Sequence, residues 1–468
     1  MQDHHQKNHE WIEYFASIEV IDGEIESGVR VIIDAIPRGV IAELKALSPE
    51  QAVEHFEETF AFLLLTTKFS PELAALLVNK KNWASLSLTH IDPIDENAIE
   101  AQSVNFSIDE DGTGQTFWIK IEHKEVPKSE LSVLVSLAEV DFLADCDTLD
   151  CLGEPHSIDE YGGIAVYDVG QANLCAVVDI YEHPILFFDL GWPLPFNKRS
   201  ARPHGPFDPF ILDDPDTKTP IVLSHLDWDH WGFAYKSGQA RYDNKRGFWK
   251  SEVSYHDEIM SRPWLMRRPR FHRHKLGPSH IHLVLTLSQT PLEDLTPALK
   301  IWPAKRSRMD WGACTIIRCS PEPGTITTPA FLRNNESLAL MAASTSNQYK
   351  VLLCGDADYP SIGASYKRRL TGIVAPHHGG SVTPWSIPPA SGVGQMVMST
   401  YPGCYSNVPS VNTETEARDK GWEIRKTCNR RHCHGSCDNN GNQLIELSPY
   451  QPECGCGQVP RGGLCLSL

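Results

Sequence analysis

The chain has 468 residues, 41% hydrophobic and 22% charged, a globular balance with enough apolar residues for more than one core. Its formal charge of −18, taken whole, argues against polyanionic partners, but residues 1–160 hold 32 acidic against 10 basic side chains, whereas residues 236–318 hold 7 against 16. With no apolar run near the ~20 residues of a membrane-spanning helix and no apolar signal core at the N-terminus, a cytoplasmic protein without a membrane partner is expected.

In chain order, residues 1–155 read as an acidic accessory domain suited to a protein partner. Helices are expected over Ser48–Leu65 and Pro71–Asn79, with Ser48 and Ser70 as N-caps and Pro49 and Pro71 at the first helical position. Ser103–Ile108 and Thr116–Glu122 read as a hairpin, and Asp145–Asp159 as a linker. From Gly162 the texture changes to short apolar runs. Ile164–Asp168, Leu174–Ile180 and Ile185–Asp189 predict a strand meander. Further strands are expected at Ile221–Ser224, His282–Leu287, Cys314–Cys319, Ser337–Ala343, Lys350–Cys354, Gly372–Ala375, Gln395–Ser399, Trp422–Thr427 and Gln443–Leu447. Many of these runs end in turn residues or in His and Asp, as two stacked sheets with a site along one edge would.

Three of those endings carry chemistry. Ser224-His225-Leu226-Asp227-Trp228-Asp229-His230 follows a buried strand and crowds four ligand-type side chains into one loop. Like charges packed this closely are unfavourable without a cation, and two metals sharing the loop suit four ligands better than one. The bland alternative is a solvated acidic loop. Val351-Leu352-Leu353-Cys354-Gly355-Asp356-Ala357 places a carboxylate at a sheet edge, where it could bridge two cations. Pro376-His377-His378-Gly379 presents two imidazoles at another strand end.

Taken together and in this order, the motifs resemble the metallo-β-lactamase-fold hydrolases, and most nearly the soluble hydrolase domain of ComEC-type DNA-uptake competence proteins. Val166-Tyr167-Asp168-Val169-Gly170-Gln171, Phe188-Asp189-Leu190-Gly191 and Asn334-Asn335-Glu336-Ser337-Leu338 are similar to further motifs of that group. The resemblance covers residues 162–447 and implies an α/β fold, an αββα sandwich beside the separate acidic domain. It implies metal ligands His225, Asp227, Asp229, His230, Asp356 and His378, with Asp229 and His377 as catalytic groups. Asp227 stands where the superfamily more often has His, which hardens the donor set toward Mn²⁺ or Mg²⁺ alongside Zn²⁺. Val408 stands where relatives often have a histidine, and His256, His272, His274, His280 and His282 sit in no recognisable motif.

The implied chemistry is hydrolysis by water activated between two divalent ions. Arg267, Arg268 and Arg270, interleaved with Trp264 and Phe271, read as a substrate-binding segment for DNA, RNA or a small nucleotide. A phosphodiesterase or nuclease is therefore expected. The alternatives are a hydrolase of a non-nucleotide ester (lactone, thioester or phosphocholine type) and a scaffolding protein with a vestigial site. Of the 13 cysteines, six fall in residues 428–468. Cys428, Cys433, Cys437, Cys454 and Cys456 could hold an additional structural Zn²⁺, against reduced thiols or local disulfides.

Overall fold

The computed structural model describes residues 11–21, 30–68, 83–93, 97–105, 114–155, 161–193, 218–325, 327–401, 407–428 and 441–447. The secondary structure is mixed α/β. The chain forms two compact units that do not follow chain order: Met1–Val140 with Tyr235–Tyr255 and Pro269–Thr286, and Asp141–Ala234 with His256–Arg268 and Leu287–Leu468. Among the described residues no helix is long and apolar enough to cross a membrane.

In the first unit six antiparallel strands close a barrel in the order Ile12–Ile21, Arg30–Pro37, Leu63–Lys68, Ile99–Ser103, Thr116–Glu125, Trp83–Thr89. The strand expected at Thr116–Glu122 is present, but its neighbour is Ile99–Ser103, which shares only Ser103 with the strand expected at Ser103–Ile108, whose residues 106–108 lie outside the described ones. The helix expected over Ser48–Leu65 is only half present. Ser48 caps Pro49–Glu54 through a capping box with Gln51, a short helix Phe56–Thr59 follows, and Leu63–Lys68 is a strand. The reason is burial: Phe60 to Leu65 are buried without interruption, which suits a barrel strand rather than one helix face. The helix expected at Pro71–Asn79, with its cap Ser70, lies outside the described residues.

The contiguous 1–155 domain needs correction. The hairpin Tyr235–Asp243 and Phe248–Tyr255 belongs to the barrel unit, where the Tyr14 hydroxyl donates to the Trp249 carbonyl (2.8 Å) and accepts from its N–H (2.9 Å). His282–Leu287, read as a strand, lies in the helix Pro278–Gln289, of which the residues up to Thr286 belong to the same unit. Its Ser279 N–H and hydroxyl donate to the buried Asp34 carboxylate, so the barrel itself caps that helix. The segment read as a linker is also structural: Leu149 and Leu152 lie in the core of the second unit, and Asp145 bridges Ile301.

The second unit contains two seven-stranded sheets. One runs Leu299–Ile301, Trp264–Met266, Ile221–Val222, Pro184–Leu190, Leu174–Asp179, Tyr161–Val166, Gln443–Glu446. The other runs Arg308–Trp311, Cys314–Arg318, Leu338–Ala343, Lys350–Leu353, Leu370–Val374, Ala390–Met398, Trp422–Lys426. Val166, Val177, Phe188 and Val222 of the first share a buried cluster with Ile316, Leu340, Leu353, Val374 and Val397 of the second. Ile221–Val222 is parallel to its two neighbours, and Lys350–Leu353, Leu370–Val374 and Ala390–Met398 are mutually parallel. Parallel strands bring their carboxyl ends to one edge, the usual place for a site in such sheets.

Candidate metal centre

Each of the three motifs leaves the end of one of these parallel strands. Leu223 to Asp227 continue from Ile221–Val222, with Asp227 at the N-cap of the short helix Trp228–Trp231 that carries Asp229 and His230. Asp356 follows Lys350–Leu353 through Gly355, whose φ of +55° is left-handed and whose Cβ would lie 2.6 Å from that of Ser224. His377 and His378 follow Leu370–Val374 with φ of 51° and 56°. Two successive non-glycine residues in that region are strained. The turn delivers both imidazoles to the site.

The ligand atoms of His225, His230 and Asp356 lie within 4.8 Å of one another, as do those of Asp229, His230 and His378. His230 is common to both sets, and Asp356 faces three imidazoles. Its Oδ1 is 3.2 Å from His230 Nε2, and its Oδ2 is 4.0 Å from His225 Nε2 and 3.1 Å from His377 Nδ1. Asp229 Oδ2 is 3.1 Å from His378 Nε2. Buried His225 Nε2, His230 Nε2 and Asp356 Oδ1 meet no hydrogen-bond partner among the described residues, although they face one another at these distances. Orphaned nitrogen and oxygen lone pairs aimed at a common volume fit a divalent cation, and the mixed imidazole–carboxylate set suits Zn²⁺ or Mn²⁺.

The far nitrogen of three imidazoles is tied down. His230 Nδ1 lies 2.8 Å from Asp189 Oδ2, His225 Nδ1 2.9 Å from Ser224 Oγ, and His378 Nδ1 2.9 Å from the Ser399 carbonyl. Such outer partners set which nitrogen carries the proton and turn the other inward. Asp189 is the hub. It is fully buried and also accepts from Asn173 Nδ2, the Ser224 N–H and the Ser224 hydroxyl. Gly191, two residues on, lets the chain pass the Asp229 carbonyl, which a Cβ there would meet at 1.9 Å.

Burial pushes the His230 imidazole down, but Asp356 and Asp189 outweigh it and raise it well above its ordinary range. Burial likewise opposes the Asp356 charge, yet His377 and His230 hold that carboxyl well below the usual carboxylate range.

Five of the six expected ligands thus converge. Asp227 joins neither set: its Oδ2 faces His225 Nε2 at 3.3 Å, but its Oδ1 pairs with the buried guanidinium of Arg333. Arg333 and Asp189 were absent from the sequence-derived site, the first being a lone Arg beside Asn334-Asn335, the second a single Asp ending a strand. The next Asn has a clear task, since Asn335 Oδ1 accepts from the Asp358 N–H and the Ser361 hydroxyl just beyond Asp356.

Arg267, Arg268 and Arg270 are engaged within the fold. Arg267 donates to the Cys319 carbonyl, Arg268 to the Leu143 carbonyl and Asp145, and Arg270 to Glu139. Neither do the intervening histidines enter the donor sets: His280 and His282 belong to the barrel unit, and His256 stacks on Phe233. Cys428 is half-buried and in no disulfide among the described residues, while Cys433, Cys437, Cys454 and Cys456 lie outside them.

A scan against protein-family models finds no match, and a search of curated proteins finds no similar one.

Proposed function

We propose that this chain is a metal-dependent hydrolase of the metallo-β-lactamase type, with the two-sheet unit as its αββα sandwich, acting on a phosphodiester of a nucleic acid or small nucleotide. One observation carries the reading: Asp356 presents one oxygen to His230 and the other to His225 and His377, while buried lone pairs around it lack hydrogen-bond partners. His225, His230 and Asp356 would hold one ion, and Asp229 and His378, with His230 within reach of both sets, the other.

When bound, the ions would polarise the scissile ester and lower the pKa of a water toward neutrality. Asp229, placed against His378, is positioned to accept that water's proton. His377 suits the leaving-group side: its side chain is 30% exposed, the other ligand-type imidazoles are almost fully buried, and its Nδ1 is steadied by Asp356. Asp189 and Ser399 hold the ligand rings in orientation.

The engagement of Arg267, Arg268 and Arg270 within the fold removes one support for a polymeric nucleic acid. It keeps a second reading open, a hydrolase of a non-nucleotide ester. The test is to incubate the purified full chain with Mn²⁺, Mg²⁺ or Zn²⁺ against single-stranded DNA, RNA, cyclic dinucleotides and bis-p-nitrophenyl phosphate, with Asp229→Ala as control. Metal-dependent cleavage lost in the control is expected. Absence of phosphodiester cleavage under every condition overturns the phosphodiesterase reading, and cleavage of lactone or thioester probes instead establishes the second.

A further inference from the structure

Asp227 and Asp229 stand two residues apart on one loop and meet opposite surroundings. Asp229 turns to imidazoles, with His378 Nε2 at 3.1 Å and His230 Nε2 at 3.9 Å. Asp227 is divided: one oxygen faces His225, while the other is paired with Arg333, whose side chain is only 7% exposed. Arg333 is no incidental neighbour. It projects from the helix Pro329–Asn335, which is capped by Thr328 and joined through Asn335 to the segment after Asp356. Its place beside the loop is therefore set by the same framework that sets Asp356.

We propose that Arg333 makes the two cation positions unequal, by sharing the Asp227 carboxylate and so weakening the position on the His225 side. The inference rests on the dinuclear reading above and extends it. A carboxylate in contact with a guanidinium delivers only part of its charge to a cation on its other oxygen, and the guanidinium repels that cation through a poorly screened interior. Among the described residues the Asp229 carboxylate meets imidazoles and no guanidinium, so its side fills first and holds its ion more tightly. Arg333 is thus a positioning residue for metal loading, acting through Asp227.

The experiment is a titration of the chelator-stripped full chain with Mn²⁺ alone, followed by calorimetry and by metal analysis after dialysis. Wild type should take two ions with affinities at least about tenfold apart, within the range that indirect partners of metal ligands command. R333Q should narrow that gap by tightening the weaker position, R333K should keep it, and D227N should weaken the His225-side ion further while sparing the stronger. Should R333Q fold poorly by circular dichroism, the D227N/R333Q pair removes both charges together and should behave as D227N does. Two equal affinities in wild type, or a gap that R333Q leaves unchanged, overturn the inference while sparing the dinuclear reading. A wild-type chain that binds no Mn²⁺ overturns both.

Discussion

Asp34 in the barrel unit and Asp356 in the two-sheet unit are both almost fully buried, 1% and 7% exposed, and they meet burial in opposite ways. Asp34 is given hydrogen-bond donors: the Ser279 N–H reaches Oδ1 and Oδ2 at 3.2 and 3.0 Å, and the Ser279 hydroxyl reaches Oδ2 at 2.5 Å. Asp356 is given imidazoles instead, and its Oδ1 lacks any hydrogen-bond partner among the described residues. A carboxylate satisfied by fixed donors is a structural clamp. One surrounded by lone pairs is a ligand, and this difference separates two sites whose burial alone looks alike.

The largest effect should come from breaking the ligand side of the contrast. Asp356→Asn keeps the shape but removes the carboxylate charge of the set it forms with His225 and His230. Metal affinity is expected to fall by more than about 100-fold, the upper end of what mere outer partners command, with a smaller loss of folding stability from the lost charge pairs with His230 and His377. Inductively coupled plasma analysis of dialysed protein checks the first part and denaturant unfolding the second. Asp34→Ala should do the reverse. Leaving two buried Ser279 donors unpartnered should lower unfolding free energy by about 2–4 kcal/mol, with metal content unchanged.

The same clamp predicts a pH signature. Burial pushes the Asp34 carboxyl up to about 8, against the Ser279 hydrogen bonds that lower it, with Glu19 adding a smaller push upward. Between pH ~4 and ~8 the folded state therefore keeps a proton that the unfolded chain has released. Stability should fall as pH rises across that window, and Asp34→Asn, which mimics the neutral acid, should flatten this component. Urea unfolding at a series of pH values decides it. A wild-type profile parallel to that of Asp34→Asn would show that the carboxyl titrates normally.

Between these extremes stands Asp189, a buried carboxylate satisfied by donors like Asp34 yet serving the ligands like Asp356. Asp189→Asn retains most of the volume but no longer accepts as an anion from His230 Nδ1. A loss of about 10- to 100-fold in metal affinity is expected, read by Mn²⁺ calorimetry. An unchanged affinity would reduce Asp189 to a structural clamp.

How much of this was readable from residues alone follows the same line. Ligand types concentrated after apolar runs, as in His225 to His230 or the His377-His378 pair, are local signals, and all but Asp227 of the expected ligands converge. Asp189 and Arg333 depend on partners far away in sequence, so the family-like motif around Asp189 did not give its role and the lone Arg333 gave no sign at all. The basic run at Arg267 to Arg270 misled for the same reason, because its partners are Cys319, Asp145 and Glu139. His282–Leu287 is short and apolar enough to fit either period, and only the Asp34 cap on Ser279 shows why it is a helix.

The finest test concerns a single hydroxyl. The Ser224 hydroxyl donates its one proton to Asp189 Oδ2, so at 2.9 Å from His225 Nδ1 its oxygen can only accept, and the proton must sit on Nδ1. That leaves the His225 Nε2 lone pair facing Asp227 and Asp356, ready for a cation. Ser224→Ala removes this relay but keeps the backbone N–H donated to Asp189 Oδ1, so the loop should hold its shape. The outcome expected is a loss smaller than that of Asp189→Asn, below about tenfold, and confined to the ion on the His225 side. Equal weakening of both ions would mean that Ser224 supports Asp189 rather than the tautomer of His225.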